Sequence, residues 1–462
     1  MLYPFFLVLL LLTACVSPGP EHKPAQMVRV QDFGLNEVVP ITVTIPWWKD
    51  LGDPVLNDII ELALKDQPGL KAANARVERM MALAEINKLS LSPQLSANAE
   101  VSRQRFSERG FYPPPLAGHV YDVGTLQTGM SWSLDAQGQH TAEIASALNQ
   151  VQSAQAEVLA SSLFLATQIS RTYIGLAKLA EQQLLIKDAL HQREQVLSLT
   201  KQRVGAGLDT QLELLQAEAG LQEAQSQVEV VNELINIARH QLSALCGQSP
   251  QAFENLLPNF SQIHIGQVPM HIGADLLSRR ADVTAARWRV EAATQDVKVA
   301  HTQFFPNVNI GAFIGVNSIG LNHLLEGGSL QAGVTPAIHL PIFNANTIRA
   351  QLKGKQGELD VAISQYNAAV LDALKEASDA LSSSQSISRQ QIDQAHALSL
   401  AKSVYQINVD RFKAGLTNQL SVLQAQSQWF AQRRLALELT AREMDNHVLL
   451  MKALGGGWSQ TP

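Results

Sequence analysis

Few side chains in this 462-residue sequence stand where chemistry would need them. A metal asks for histidines, cysteines or carboxylates at ligand spacing, yet the twelve histidines include no His-x-x-x-His pair and the two cysteines no Cys-x-x-Cys. Gly205-Ala-Gly207 lacks both the preceding strand and the third glycine of a dinucleotide loop, and no Gly-x-Ser-x-Gly elbow occurs. His240, His301 and His396 lie singly in helical stretches. The reading is therefore of a non-enzyme with no cofactor and no metal. One residue does stand in a reactive setting. Leu12-Thr13-Ala14-Cys15 resembles a lipoprotein cleavage box, and it follows an apolar run, Phe5 to Leu12, that is too short to span a bilayer. The chemistry implied is removal of residues 1–14 and diacylation of Cys15. No Lys or Arg precedes the apolar run, and Val16 in place of Asp after the cysteine resembles an outer-membrane address. With Cys15 lipidated, Cys246 stands alone beside Leu245 and reads as a buried structural thiol.

A second group of candidates is marked by repetition. Arg203-Val-Gly-Ala-Gly-Leu-Asp-Thr-Gln-Leu-Glu-Leu-Leu-Gln-Ala217 recurs, 208 residues on, as Arg411-Phe-Lys-Ala-Gly-Leu-Thr-Asn-Gln-Leu-Ser-Val-Leu-Gln-Ala425, with nine of fifteen positions identical. That period is far too long for a solenoid and reads as a duplicated half-protein. In each copy a glycine, Gly207 or Gly415, stands where a helix can end in a left-handed cap, with an arginine, Arg203 or Arg411, in the last helical turn. The copies differ at their acids. Asp209 and Glu213 of the first are Thr417 and Ser421 in the second.

The elements that position these turns follow from periodicity. From about 141 to 203 and from about 346 to 412 no proline occurs and apolar residues recur at three- and four-residue spacing, which predicts helices of some 65 residues, roughly 100 Å each at ~1.5 Å per residue. Returning helices run from about 210 to 245 and 417 to 454, so each repeated motif is the turn of a long helical hairpin. Four stretches alternate instead with period two. Leu95, Ala97, Ala99 and Val101 alternate with Gln94, Ser96, Asn98 and Glu100; Leu126, Met130, Trp132 and Leu134 with Gln127, Gly129, Ser131 and Ser133. The second half does the same with Val308, Ile310, Ala312, Ile314 and Val316, then with Leu330, Ala332, Val334, Ile338 and Leu340. Each run is about ten residues, the length of a tilted membrane strand. Four strands cannot close a barrel, so a membrane reading requires self-association. Residues 107–119 and 317–326 read as solvated loops between strands.

Composition agrees with narrow helical packing. Aromatics make up 6% of the chain, and a net charge of -6 offers no basic face for nucleic acid. The organisation expected is a signal peptide over 1–14 and a lipid-anchored tether over 15–53. The first repeat spans 54–265, with strands about 93–106 and 120–134 and a hairpin about 136–246. The second spans 266–462, with a helix about 281–303, strands about 306–317 and 328–342 and a hairpin about 344–454.

With these features in order, the sequence resembles the outer membrane factor lipoproteins of the NodT type, relatives of TolC. Trp47-Trp48-Lys49-Asp50-Leu51-Gly52-Asp53-Pro54 resembles the family's entry segment, and Leu276-Leu277-Ser-Arg279-Arg280-Ala281-Asp282-Val283 its Leu-Leu-x-Arg-Arg-Pro-Asp-Val signature. Leu340-Pro341-Ile342-Phe343-Asn344 resembles the exit from the last strand and Leu454-Gly-Gly-Gly-Trp458 the C-terminal end. The resemblance implies a mainly α fold with a transmembrane β-barrel. Long helical hairpins would form a trimeric α-barrel tunnel, and four strands per chain would enter a 12-stranded outer-membrane barrel. The implied function is a passive duct of a tripartite efflux system for small molecules, a homotrimer in outer-membrane lipid working with a periplasmic adaptor and an inner-membrane pump. A TolC-like exit for secreted proteins and a lipid-anchored scaffold without a pore are the alternatives. Arg203, Gly207, Leu208, Asp209, Arg411, Gly415, Leu416 and Thr417 fall at the family's adaptor-docking or gating tips. Three departures matter. Ala281 replaces the signature's proline, leaving Asp282 as the helix cap; Asp135-Ala-Gln-Gly138-Gln lacks the family's Phe-Gly-Arg; Ser421 and Gln424 stand where many relatives have aspartates.

Overall fold

A computed structural model of the chain describes residues 22–28, 46–266, 279–341 and 344–456. Helices, short 3-10 turns included, account for 69% of the described residues, and seven of them are α-helices. They are α1 (Pro54–Asp66), α2 (Pro68–Leu89), α3 (Gln139–Gly205), α4 (Gln211–Leu245), α5 (Ala281–Thr302), α6 (Ala345–Lys413) and α7 (Gln419–Ala453). Strands β1 (Gln94–Arg105), β2 (Val120–Leu134), β3 (Asn307–Ile319) and β4 (Leu330–His339) complete the fold. Two compact units cut across the duplication, each drawing on both halves. Among described residues one unit holds 22–27, 76–155, 285–341 and 344–366, and the other holds the rest.

The first unit contains one antiparallel sheet in the order β1-β2-β3-β4. Its register sorts the side chains by polarity. Leu95 pairs with Met130, Ala99 with Leu126, Leu126 with Val316, Trp132 with Ile310, Ala312 with Val334 and Val308 with Ile338. Successive residues point to opposite faces, so these aligned rows make one face mainly apolar, with Thr128 in its middle and Arg103, Asp122 and Ser318 toward the loop end. The other face is polar: Gln331 donates to Gln127 at 3.2 Å and Asn317 to Thr125 Oγ1 at 2.8 Å. Unlike a half-buried sheet, the apolar face is largely uncovered by described residues, Leu321 and Leu324 packing over it only near Gly124. Leu95, Val334 and Ile338 are each more than 70% exposed. Both outer strands, β1 and β4, keep one free edge. The junction after β2 is closed locally. The Asp135 carboxylate accepts from the His140 and Thr141 N–H groups at 2.9 and 3.0 Å, holding the first turn of α3 after a left-handed Gly138.

In the second unit, the largest cluster gathers around α1. Asp53 caps that helix, accepting from Val55 N and Leu56 N at 2.9 and 3.2 Å, with Pro54 at the first helical position. Leu56, Ile59, Ile60 and Ala63 then face Leu165, Ile169 and Tyr173 of α3, Leu242 of α4 and Val448 of α7, with Trp47 and Leu51 closing one side. The Tyr173 hydroxyl donates to Asp53 at 2.7 Å in this buried setting. Cys246 belongs to the same cluster, and burial pushes its thiol up to about 11.

Along α3 and α6, 67 and 69 residues long, alanine fills buried positions such as Ala147, Ala154, Ala166, Ala177, Ala373, Ala377 and Ala380. Small side chains let helices lie close without a thick core, which explains the low aromatic content. No described helix is long and apolar enough to cross a membrane.

Candidate functional site

Both repeated motifs form the turns of helical hairpins, and both are built by the same local bonds. At the end of α3, Gly207 N–H donates to Val204 O at 2.9 Å and Leu208 N–H to Arg203 O at 2.9 Å. At the end of α6, Gly415 N–H donates to Phe412 O at 3.0 Å and Leu416 N–H to Arg411 O at 2.8 Å. This is the Schellman closure, which needs a left-handed residue, and φ is 72° at Gly207 and 74° at Gly415. Leu208 and Leu416, next in chain, are 66% and 69% exposed.

The following helices start differently. Thr210 caps α4 in a reciprocal box with Glu213, whose carboxylate accepts from Thr210 N at 2.9 Å and from the Thr210 hydroxyl. Those bonds hold the Glu213 pKa below its ordinary value. At the second turn Asn418 is the cap, accepting from Ser421 N at 3.1 Å and Ser421 Oγ at 2.9 Å. Thr417 thus lies outside α7, one residue before the cap. Ser421, in place of an aspartate, has its hydroxyl engaged by that cap.

Asymmetry is sharpest at the arginines. Arg203 makes a bidentate pair with Asp209 at 2.7 and 3.0 Å and lies over the Phe412 ring at 5.6 Å. Hydrogen bonding to Asp209 raises the Arg203 pKa above its ordinary value. Arg411, with Thr417 where the first copy has Asp209, makes no ion pair among the described residues. The first turn carries a neutralised pair; the second exposes Arg411 and Lys413.

A seam between α3 and α7 joins the two hairpins. Away from the turns it is charged: Arg171–Asp445 at 2.6 Å, Lys178–Glu438 at 3.1 Å and Asp188–Arg433 at 3.5 Å. Toward the turns it becomes neutral. Gln426 donates to Gln192, and Thr200 and Gln419, both buried, hydrogen-bond at 3.1 and 2.9 Å. Sequence reasoning did not find these residues, because a glutamine on an alanine-rich helix carries no local sign of a partner more than 200 residues away. Among described residues no cluster of His, Cys, Asp or Glu could hold a metal.

The signature at 276–283 lies partly outside the described residues, but its end is a buried ion network. Arg280 binds Asp282 at 3.0 and 2.6 Å, Glu376 of α6 at 2.8 Å and the Ala453 carbonyl at 3.5 Å, and Lys452 closes on Glu376 at 2.9 Å. Burial disfavours the guanidinium's charge, yet Asp282 and then Glu376 outweigh it and the Arg280 pKa is raised. Asp282, expected as a helix cap, is the second residue of α5 and serves instead as the ion-pair partner of Arg280. The arginine reaches it because Arg280 immediately precedes the helix. Cys15, Leu276, Leu277, Ile342, Phe343 and Trp458 lie outside the described residues.

Comparison with known proteins decides the family. The model of the outer membrane efflux protein family matches residues 59–248 and 273–456, most of the chain. The chain belongs to the outer membrane efflux protein family. Its relatives include the multidrug resistance outer membrane protein MdtP of Escherichia coli K12, 27% identical over 469 residues and covering 98% of this chain and 95% of MdtP. The putative multidrug resistance outer membrane protein MdtQ of the same strain is 27% identical over 468 residues, 98% of each chain. Among solved structures, the outer membrane protein VceC of Vibrio cholerae aligns with a TM-score of 0.85 at 31% identity, over 90% of this chain and all of VceC. For this efflux protein the matched segments enclose both turns, the whole sheet and the Arg280 network.

Proposed function

We propose that this efflux protein is a passive, trimeric duct in the outer membrane that carries small toxic molecules outward. The observation that carries the reading is the sheet: one face carries aligned apolar rows across all four strands and is largely exposed, the other is polar, and β1 and β4 keep free edges. Unpaired edges are not tolerated in hydrocarbon, so copies must join β4 to β1, and three copies give twelve strands around a polar lumen. The helical hairpins then form the tunnel on the periplasmic side. The relatives' names, which speak of multidrug resistance, support drugs as the cargo class. Residues 1–14 are the signal peptide, Cys15 carries the lipid anchor, and 15–53, 54–265 and 266–462 are the tether and the two repeats. Single-channel recording of the purified protein in planar bilayers tests the duct. Steady conductance steps from a trimer are expected, and a protein that inserts no conducting unit refutes the reading.

The turns are the docking face for a periplasmic adaptor that links the duct to an inner-membrane pump. Exposed Leu208 and Leu416 supply apolar contact, while Gly207 and Gly415 keep the turns tight. The charge asymmetry supports unequal roles. Asp209 holds Arg203 in place, whereas Arg411 and Lys413 are open to an acidic group on the adaptor. Arg411→Glu is expected to abolish drug resistance with trimer level unchanged, and Asp209→Asn to weaken it less. Wild-type resistance in Arg411→Glu refutes this assignment.

A further inference from the structure

The two loops that join the strands fold to opposite faces of the sheet, although both read as solvated in the sequence. The loop between β1 and β2 turns to the polar face. Tyr121 stands on that face in line with Thr125 and Gln127; its ring meets Phe106 at 6.1 Å and its hydroxyl donates to Pro115 O at 3.2 Å. Phe106 in turn packs on Tyr112 at 4.9 Å.

Residues 320–329, between β3 and β4, turn the other way. Gly320 N–H donates to Asp122 O at 2.7 Å, and Leu321 and Leu324 then lie over Gly124 on the apolar face. They sit so close that a Cβ at 124 would be 2.9 Å from Leu321 Cδ2 and 3.1 Å from Leu324 Cδ2. This turn is two-sided. Leu321, Leu324 and Leu325 stand at positions i, i+3 and i+4, one edge of a helical turn. Asn322, His323 and Glu326 form the other edge, where His323 contacts each of its neighbours at 2.9 Å. Leu321 and Leu325 remain 44% and 83% exposed.

Position gives these exposed leucines a use. On the apolar face, the row beyond Leu126 and Val316 consists of Val101, Gly124 and Ser318. β2 and β3 thus offer no large apolar group there, and Leu321 and Leu324 take that place. Leu126 to Leu134 is eight residue steps, roughly 26 Å of strand and about 20 Å of membrane at a tilt near 40°. The apolar band of a membrane barrel is about 25 Å tall. One further row, two residue steps, adds about 5 Å and closes the difference.

We propose that residues 321–325 form a lipid-facing turn, which completes the apolar band at the loop end of the sheet and sets Leu325 among the acyl chains of the leaflet it faces. This rests on the outer-membrane reading of the sheet. The loop between β1 and β2, folded to the polar face, stays in water.

The test is photocrosslinking in full-length protein reconstituted in phosphatidylcholine vesicles. The photoreactive residue p-benzoylphenylalanine replaces Leu325, or Val334 in an apolar row, or Phe111, which is 97% exposed in the other loop, and acyl adducts are measured by mass spectrometry. Position 325 is expected to give adducts at a yield comparable to 334. Position 111 is expected to give less than about a tenth of that yield, the ratio set by one apolar side chain's preference for hydrocarbon over water. Leu321→Ser with Leu324→Ser is expected to lower the 325 yield by about threefold or more and to leave 334 unchanged. Absence of adduct at 334 overturns the membrane reading and the turn with it. Adduct at 334 without adduct at 325 overturns the turn alone, as does equal yield at 111 and 325 or a 325 yield indifferent to the two serines.

Discussion

Two glycines in the first turn, two residues apart, should respond to alanine with opposite signs. Gly207 has φ of +72° and an added Cβ there meets nothing within 4 Å, so only backbone handedness resists alanine. A non-glycine residue in that region costs about 1–2 kcal/mol, and lower unfolded-chain entropy offsets part of it, leaving a loss of about 1 kcal/mol. Gly205 is the last helical residue of α3, its φ is not positive, and a Cβ there also meets open space. Alanine at 205 should gain about 0.5–1 kcal/mol through helix propensity. The second copy already makes this substitution in kind, with Lys413 at the place of Gly205 and Gly415 at the place of Gly207.

The reporter is the Leu208 amide, whose bond to Arg203 O closes the turn at 2.9 Å. Native-state hydrogen exchange, corrected for intrinsic rates, should show it exchanging about fivefold faster in Gly207→Ala and about two- to fivefold slower in Gly205→Ala. Gly207→Asn should fall between Gly207→Ala and wild type, because asparagine tolerates the left-handed region. Faster exchange of similar size in both alanine variants would refute the claim that handedness alone reserves position 207.

The Arg280 network predicts an order of damage in thermal unfolding of the purified protein. Arg280→Met should cost about 2 kcal/mol, below the ~3–5 of a fully buried pair, because Asp282 and Glu376 are more than a third exposed and rehydrate. Asp282→Ala, which leaves the buried guanidinium half paired, should cost more, about 3 kcal/mol, and the reverse order would contradict the assignment. His447 is buried, and burial lowers its pKa from 6.5, with Asp50 acting weakly the other way. Below that value the unfolded chain binds the extra proton, so this contribution is full above pH 6.5 and is lost as pH falls through the lowered folded pKa. His447→Gln should therefore flatten the decline of melting temperature between pH 7 and 5, and an unchanged slope would exclude it as a source. Cys246, fully buried with its thiol pushed up to about 11, should resist maleimide at pH 8 in folded protein and react once guanidinium unfolds it. Fast labelling of the native state would show that the cluster around α1 opens.

Much of the architecture was open to a reading of the chain because its causes are local. The Schellman turns at 207 and 415 close through bonds spanning three to five residues, so glycine at the right offset from a proline-free helical run is enough to mark them. Strand alternation is likewise a property of neighbouring residues, and the polar and apolar sets named from it occupy opposite faces of the sheet. Cap details were less accessible. Thr417 and Asn418 are both plausible caps by type, and only the backbone shows Asn418 accepting from Ser421.

The sequence by itself determined that this protein is a duplicated pair of long hairpins and two strand pairs, since each rests on periodicity and on turn chemistry within a few residues. Tertiary structure alone decided which side chains meet. Asp209 looked available to a partner until it was found holding Arg203, and Asp282 looked like a cap until Arg280 took it. Thr200 with Gln419, 219 residues apart, and Tyr173 with Asp53, 120 apart, form buried pairs that neither stretch announces. The reason is physical. A helical period says which face is buried but not against which helix, and the partner of a polar group is settled only when packing excludes water from both.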